Sequence, residues 1–141
     1  MAYCGWLNET QGQGHRLPSE DEWEKAARGI DGRAFPWGNR WDSRFCHTKK
    51  ATGGSATRNP SIDFTQDQSV YGVVDLAGRV SEWTASETHQ PNERVVKGGN
   101  WNSGTIECRS ASRFAEGVHR VRIGLGFRVA ISSNDSDFEA T

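Results

Sequence analysis

The sequence predicts a loop-rich α+β fold, with helices at the front of the chain and strands behind them. Three observations carry that expectation. Both helical patterns fall in the first thirty residues. After Gly29 the 3.6-residue period disappears, and only short β-branched or alternating runs follow. Sixteen Gly against four Pro call for many tight turns and argue against a helical bundle. A chain of 141 residues is one domain by length, and although hydrophobic content is only 34%, six Trp and six Phe supply a large buried area.

Residues 2–10 place Tyr3, Trp6 and Leu7 at i, i+3 and i+4, an apolar helical stripe that Gly12 and Gly14 end. RLPSEDEWEKAARG, residues 16–29, is the strongest local signal. Ser19 with Glu22 forms a capping box, and Glu20 and Asp21 put negative charge at the helix's positive end. Trp23, Ala26 and Ala27 make its buried stripe, and Gly29 supplies the stop. Residues 30–70 hold FPWGNRWD and then a Gly/Ser/Thr/Asn-rich loop, for which Trp37 and Trp41 are the expected anchors. VYGVVDLAGRVSEWTAS has strand-like pieces on either side of Ala77-Gly78. Residues 94–97 and 125–131 read as further strands, the second alternating Leu125, Phe127, Val129 and Ile131. The expected domain spans residues 1–131, followed by an acidic, disordered tail over 132–141.

A net charge of −1 gives no bias toward nucleic acid or a membrane surface, and no apolar run approaches the ~20 residues of a membrane span. MAYCGWLNE lacks the basic and apolar regions of a signal peptide, so a cytoplasmic location is expected if Met1 is the true start. Cys4, Cys46 and Cys108 are odd in number and form no CxxC pair, which argues against a disulfide framework or a zinc ribbon. Buried inert thiols, or one disulfide with a free thiol, remain. No HExxH, GxSxG or P-loop is present. Arg109 could activate Cys108 as a nucleophile, but adjacent strand residues point to opposite faces. Asp75 and Glu82 flank a glycine turn, and two readings follow. Both carboxylates converge on an oxygen-ligated Ca²⁺, or Asp75 caps the turn while Glu82 pairs with an arginine. Between Glu93 and Arg128 seven Lys and Arg face three Glu. That excess serves either an anionic ligand or, through Arg109, Arg113 and Arg128, the bracing of long loops.

Taken in order, RLPSEDEWEKAARG, FPWGN, YGVVDLAGRVSEW, RVVKGGNWNS, CRSASR and GLGFRVA resemble the successive motifs of the formylglycine-generating enzyme (sulfatase-modifying factor) family. The resemblance covers residues 2–131. It implies a variant of the C-type lectin fold, with two helices and a small twisted antiparallel sheet. It also implies that the N-terminal part of the usual domain is absent, and a missing first strand would leave a sheet edge that invites a partner chain. A structural calcium is implied on Asp75, Gly78, Val80 and Glu82, although Arg79 stands where Asn is usual and Ser81 where Trp is usual. The family's other calcium site draws on the loop over 45–63, where no ligands match.

Oxidising members carry GGSFxCxxxxCxR, whose two cysteines bind one copper ion. Alignment with GGNWNSGTIECRS puts Ser103 at the first cysteine and Cys108 at the second. Copper(I) favours paired thiolates, so copper is not expected, and Cys108 is the one catalytic candidate if the chain is an enzyme. Relatives that form sulfoxides carry iron on a separate helical domain, which this chain lacks. The expectation is therefore a non-catalytic recognition domain, of the type fused to bacterial signalling kinases or used as variable receptors of diversity-generating retroelements. By that resemblance its protein or small-molecule ligand would meet Trp101, Asn102, Ser103, Thr105, Glu107, Phe114, Glu116, His119 and Arg122. Gly98, Gly99, Cys108, Arg109, Arg113, Gly126 and Phe127 would hold the frame. The competing expectation is a metal-dependent oxidase, or the substrate-binding part of one.

Overall fold

The computed structural model describes residues 2–12, 14–54 and 64–132. The 55–63 part of the long loop and the tail beyond Ser132 lie outside the described residues. Helix α1 (Ala2–Gln11) leads into strand β1 (His15–Arg16), and helix α2 (Glu20–Arg28) follows. Asn8 joins the first two, since its side chain accepts from the His15 amide at 2.6 Å and donates to the His15 carbonyl at 3.0 Å. The α1 stripe differs from expectation. Cys4 and Leu7 are buried, while Tyr3 and Trp6 are 51% and 54% exposed. The helix turns its smaller residues inward and leaves Tyr3 on the rim, edge-on to Phe127 at 5.7 Å.

Helix α2 starts as its sequence dictates. The Ser19 hydroxyl accepts from the Glu22 amide, and the Glu22 carboxylate accepts from the Ser19 amide. A short helix, α3 (Lys49–Thr52), was not expected; it carries no buried residue and therefore no apolar period to read. Gly53 ends it in the left-handed conformation.

Four later strands, β2 (Ser81–Glu87), β3 (Glu93–Lys97), β4 (Phe114–Gly117) and β5 (Leu125–Phe127), form one sheet in the order β4-β3-β2-β5. Strand β6 (Ala130–Ile131) pairs antiparallel with β1. The run 125–131 is thus divided between two sheets. The larger sheet is mixed, not wholly antiparallel: β5 lies parallel to β2, with Ser81 opposite Leu125 and Trp83 opposite Phe127. The 118–124 loop carries the chain across from β4 at one edge to β5 at the other, so β5 enters along β2 in the same direction.

Alternation along β2 sorts its residues between two faces. Glu82, Thr84 and Ser86 meet α2 or the strand beneath it: Glu82 binds Trp23, the Thr84 hydroxyl donates to the Val95 carbonyl, and Ser86 accepts from the Glu20 amide. Trp83 faces the other way, in register with Val96, Phe114 and Phe127 across all four strands. Lys97 is fully buried on the α2 side, 2.8 Å from Glu24 and 5.7 Å from the centroid of the Trp23 ring.

Among the described residues two apolar clusters form the core. Trp23 and Ala27 pack on Leu76, and Cys46 and Cys108 pack on Ala77 with Trp37 and Trp41 beside them. Trp37 and Trp41 thus anchor the long loop, Trp37 stacked on Phe35 and edged by Phe45, Trp41 tilted against Phe35. Consecutive residues, Leu76 and Ala77, serve the two clusters. The turn carrying them is pinned by Gly78, where φ is +80° and a Cβ would stand 2.3 Å from the His47 carbonyl oxygen. A Gly78→Ala variant is expected to lose more than about 3 kcal/mol in urea unfolding. Gly117→Ala, with nothing within 4 Å of its Cβ, is expected to stay close to wild type.

Candidate functional site

The 75–82 turn is a junction of the chain. The Gly78 amide donates to the Gly98 carbonyl, Arg79 to His47, Trp101 to Arg79, and Ser81 to Gly124, at 2.7 to 3.1 Å. Asp75 and Arg79 both adopt positive φ, 57° and 61°, a conformation uncommon for residues other than glycine. The fully buried loop beneath is held by Asp67, whose carboxylate accepts from the amides of Leu76 at 3.3 Å and Ala77 at 2.9 Å. Sequence reasoning missed Asp67, which lies in a stretch without period or motif.

The four expected calcium ligands all lie on this turn. The Asp75 carboxylate is paired with Arg79 four residues on. Glu82, 5% exposed, accepts from the Trp23 indole at 2.7 Å and from Arg128 Nε and Nη2 at 2.5 and 2.8 Å. From Gly78 and Val80 the expected ligands are the backbone carbonyls, and the Val80 side chain packs toward Gly126. Among the described residues no three His, Cys, Asp or Glu side chains are grouped to hold a metal. Each of the two carboxylates is thus paired with an arginine.

The segment from Gly98 onward has a rigid underside. A Cβ on Gly98 would stand 3.1 Å from the Trp23 ring, and one on Gly99 would stand 3.0 Å from Cys108 Sγ. Ser103 closes the next turn: its hydroxyl accepts from the Asn100 amide at 2.9 Å while its own amide donates to the Asn100 carbonyl. Cys108 is fully buried, and burial pushes its thiol up to about 12, so it is protonated at neutral pH. Cys46 shares its cluster and its thiol is likewise raised by burial. The 61 intervening positions hid that proximity from the sequence. All three cysteines are free and buried.

The expected ligand face is only partly a displayed surface. Asn102, Thr105, Phe114, His119 and Arg122 are exposed, whereas Trp101, Ser103, Glu107 and Glu116 are half-buried. Glu107 accepts from the Gly104 amide, and Glu116 draws in Arg122 at 2.8 Å and Arg120 at 3.5 Å, shaping the loop after β4. Three apolar side chains that the sequence did not single out stand out on the same stretch: Ile106, Val121 and Ile123 are 73%, 95% and 78% exposed. Of the expected frame residues, Arg109 and Phe127 are exposed, and Arg113 reaches across to Glu20 at 2.7 Å.

The family model for the sulfatase-modifying factor enzyme 1-like domain matches residues 1–133. The chain belongs to this family. It is 38% identical to the "Inactive C-alpha-formylglycine-generating enzyme 2" of Mus musculus over 94% of this chain and 46% of that protein. It is 31% identical to the mouse "Formylglycine-generating enzyme" over 92% of this chain and 41% of that protein. The "Serine/threonine-protein kinase pkn1" of Chlamydia caviae is 30% identical over 91% of this chain and 22% of the kinase. The chain spans about half the length, or less, of these relatives. Its fold is that of "Treponema denticola variable protein 1", at TM-score 0.71 and 24% identity over 83% of this chain and 47% of that one. The formylglycine-generating variant of the C-type-lectin-like fold is therefore the fold of this domain.

Within this family member Asp67 is an acid strongly displaced by its surroundings. Burial raises its pKa from 3.8 to about 7, with the neighbouring Asp75 adding to the rise and the Leu76 and Ala77 amides and Arg128 opposing it. A raised folded pKa means that protonated Asp67 contributes its full stability below about pH 4, and that contribution is lost as pH rises through about 7. Thermal melts from about pH 4 to about pH 8 should show that decline in the wild type, and Asp67→Asn should flatten it.

Proposed function

We propose that this domain is a non-catalytic recognition module, in which a formylglycine-generating-enzyme frame displays ligand-contacting side chains between Trp101 and Ile123. The observation that carries this reading is the state of the two positions where a metal-binding thiol pair would be needed. Ser103 spends its hydroxyl on the Asn100 amide, and Cys108 is a protonated thiol sealed behind Gly99. Neither group is offered to a substrate thiol, and a serine hydroxyl is a poor ligand for copper(I).

The division between underside and surface supports the same reading. Gly98, Gly99, Cys108 and Ser110 are buried, and Ser110 donates its amide to the Ala34 carbonyl at 2.9 Å. Asn102, Thr105, His119 and Arg122 point outward above them, so they can change without disturbing the packing below. The relatives named as an inactive enzyme, a kinase and a variable protein support a scaffold used for more than oxidation. With exposed Ile106, Val121 and Ile123 beside Arg122 and His119, the surface suits a ligand that is partly apolar and carries hydrogen-bond acceptors, a protein or a small molecule.

Two measurements test this reading. Protein loaded with copper(I) and incubated with a cysteine-containing peptide under oxygen should yield no formylglycine by mass spectrometry; turnover would establish the oxidase reading instead. A variant with Asn102, Thr105, His119 and Arg122 all changed to Ala should melt within a few degrees of wild type. A collapse of its stability would show that these side chains hold the fold and are not free for a ligand.

A further inference from the structure

Two of the three cysteines meet in the core. Cys46 and Cys108 are both fully buried and share one cluster with Ala77, which adds only a methyl group to it. They arrive from different segments. Cys46 comes in beside His47, whose backbone pairs with Gly78 in the parallel sense and whose carbonyl accepts from the Arg79 amide at 2.7 Å. Cys108 comes in over the glycine pair. The Gly98 carbonyl accepts from the Gly78 amide at 2.7 Å, and a Cβ on Gly99 would stand 3.0 Å from Cys108 Sγ. Gly78 is therefore bonded to segments that carry both cysteines, one residue from the alanine they share. Burial and then the nearby Cys108 sulfur are the two largest causes that raise the Cys46 thiol. Cys4 stands apart on α1, where it lines an apolar cavity of about 190 Å³ with Tyr3, Leu17, Trp83 and Phe127.

In the folded chain neither sulfur is a ready nucleophile, because each is sealed from solvent and held as the thiol. During folding the same thiols are accessible and have their ordinary acidity. A disulfide oxidant such as oxidised glutathione then suffices. One cysteine thiolate attacks a glutathione sulfur, which forms a mixed disulfide and releases one glutathione. The second cysteine thiolate attacks the protein sulfur of that bond, which closes the protein S–S bond and releases the second glutathione. Two cysteine thiols are oxidised, one glutathione disulfide is reduced to two thiols, and the two protons pass through solvent to glutathione. Burial of the finished bond keeps later reductants away from it.

We infer that Cys46 and Cys108 are a disulfide site: native packing brings these two thiols together for one S–S bond, which staples the long loop after α2 to the segment beneath the displayed surface. The bond spans 61 intervening residues, among them the 75–82 turn and strands β2 and β3, so it restricts the unfolded chain strongly. This inference is independent of the recognition role.

Refolding the full chain from urea in a mixture of reduced and oxidised glutathione tests it. Non-reducing peptide mapping by mass spectrometry should find Cys46 linked to Cys108 with the loss of two hydrogens, and thiol titration should leave Cys4 as the free cysteine. The oxidised protein should melt about 5 °C or more above the same protein in dithiothreitol. Cys46→Ala and Cys108→Ala should each abolish that difference, and Cys4→Ala should keep it. If a single variant does not fold, the wild-type map and its two melts decide. Three free thiols, glutathione retained on either cysteine, or a link through Cys4 would overturn the inference. So would a Cys46–Cys108 bond that lowers the melting temperature.

Discussion

The structure depends on one buried ion pair. Glu82 on β2 takes the Trp23 indole from α2 and the Arg128 guanidinium from the chain after β5, so a helix, the centre of the sheet and its parallel edge meet at one carboxylate. Burying such a charge costs several kcal/mol, and only a complete set of partners offsets it. The pair therefore specifies more than it stabilises. It tells α2 which face of the sheet to cover, and it holds β5 beside β2 in the parallel sense. Lys97, fully buried opposite Glu82 in the β2–β3 register and paired with Glu24, repeats the device on the neighbouring strand.

A second constraint builds on the first. The turn between Asp75 and Glu82 sends Leu76 into the Trp23 cluster and Ala77 into the cysteine cluster, while its amides reach the 47, 98 and 124 segments. Asp67 neutralises the inward amides, and Gly78 permits the approach of the His47 carbonyl. Everything that displays a side chain after Trp101 rests on this floor. Such an arrangement separates residues that must not change from residues that can, which is the physical requirement of a recognition scaffold.

Much of this was legible in the residues. Ser19 and Glu22 announced α2 because a capping box is local chemistry, satisfied within four residues. Trp23 and Ala27 were readable from period alone, and Trp37 and Trp41 from their isolation in a long loop. The alternative reading of Glu82, as an arginine's partner, was available from its type, but the choice of Arg128 was not, since 46 residues separate them. The α1 stripe misled because Tyr3 and Trp6 are large and apolar yet lie on the rim, where an aromatic ring can rest on Phe127 without being enclosed. Parallel pairing of β5 and the proximity of Cys46 to Cys108 are both products of long-range topology. No local spacing encodes them.

The central claim is that Glu82 and Arg128 act as one unit at the junction of helix and sheet. A double-mutant cycle on urea unfolding measures it directly, with Glu82→Met and Arg128→Met made singly and together. Arg128→Met leaves the buried Glu82 carboxylate without its ionic partner and should cost about 3–5 kcal/mol, while Glu82→Met leaves the half-buried Arg128 unpaired and should cost less. The double variant removes both charges and should cost clearly less than the two losses combined, with a coupling of about 2 kcal/mol or more. Losses that simply add would contradict the account.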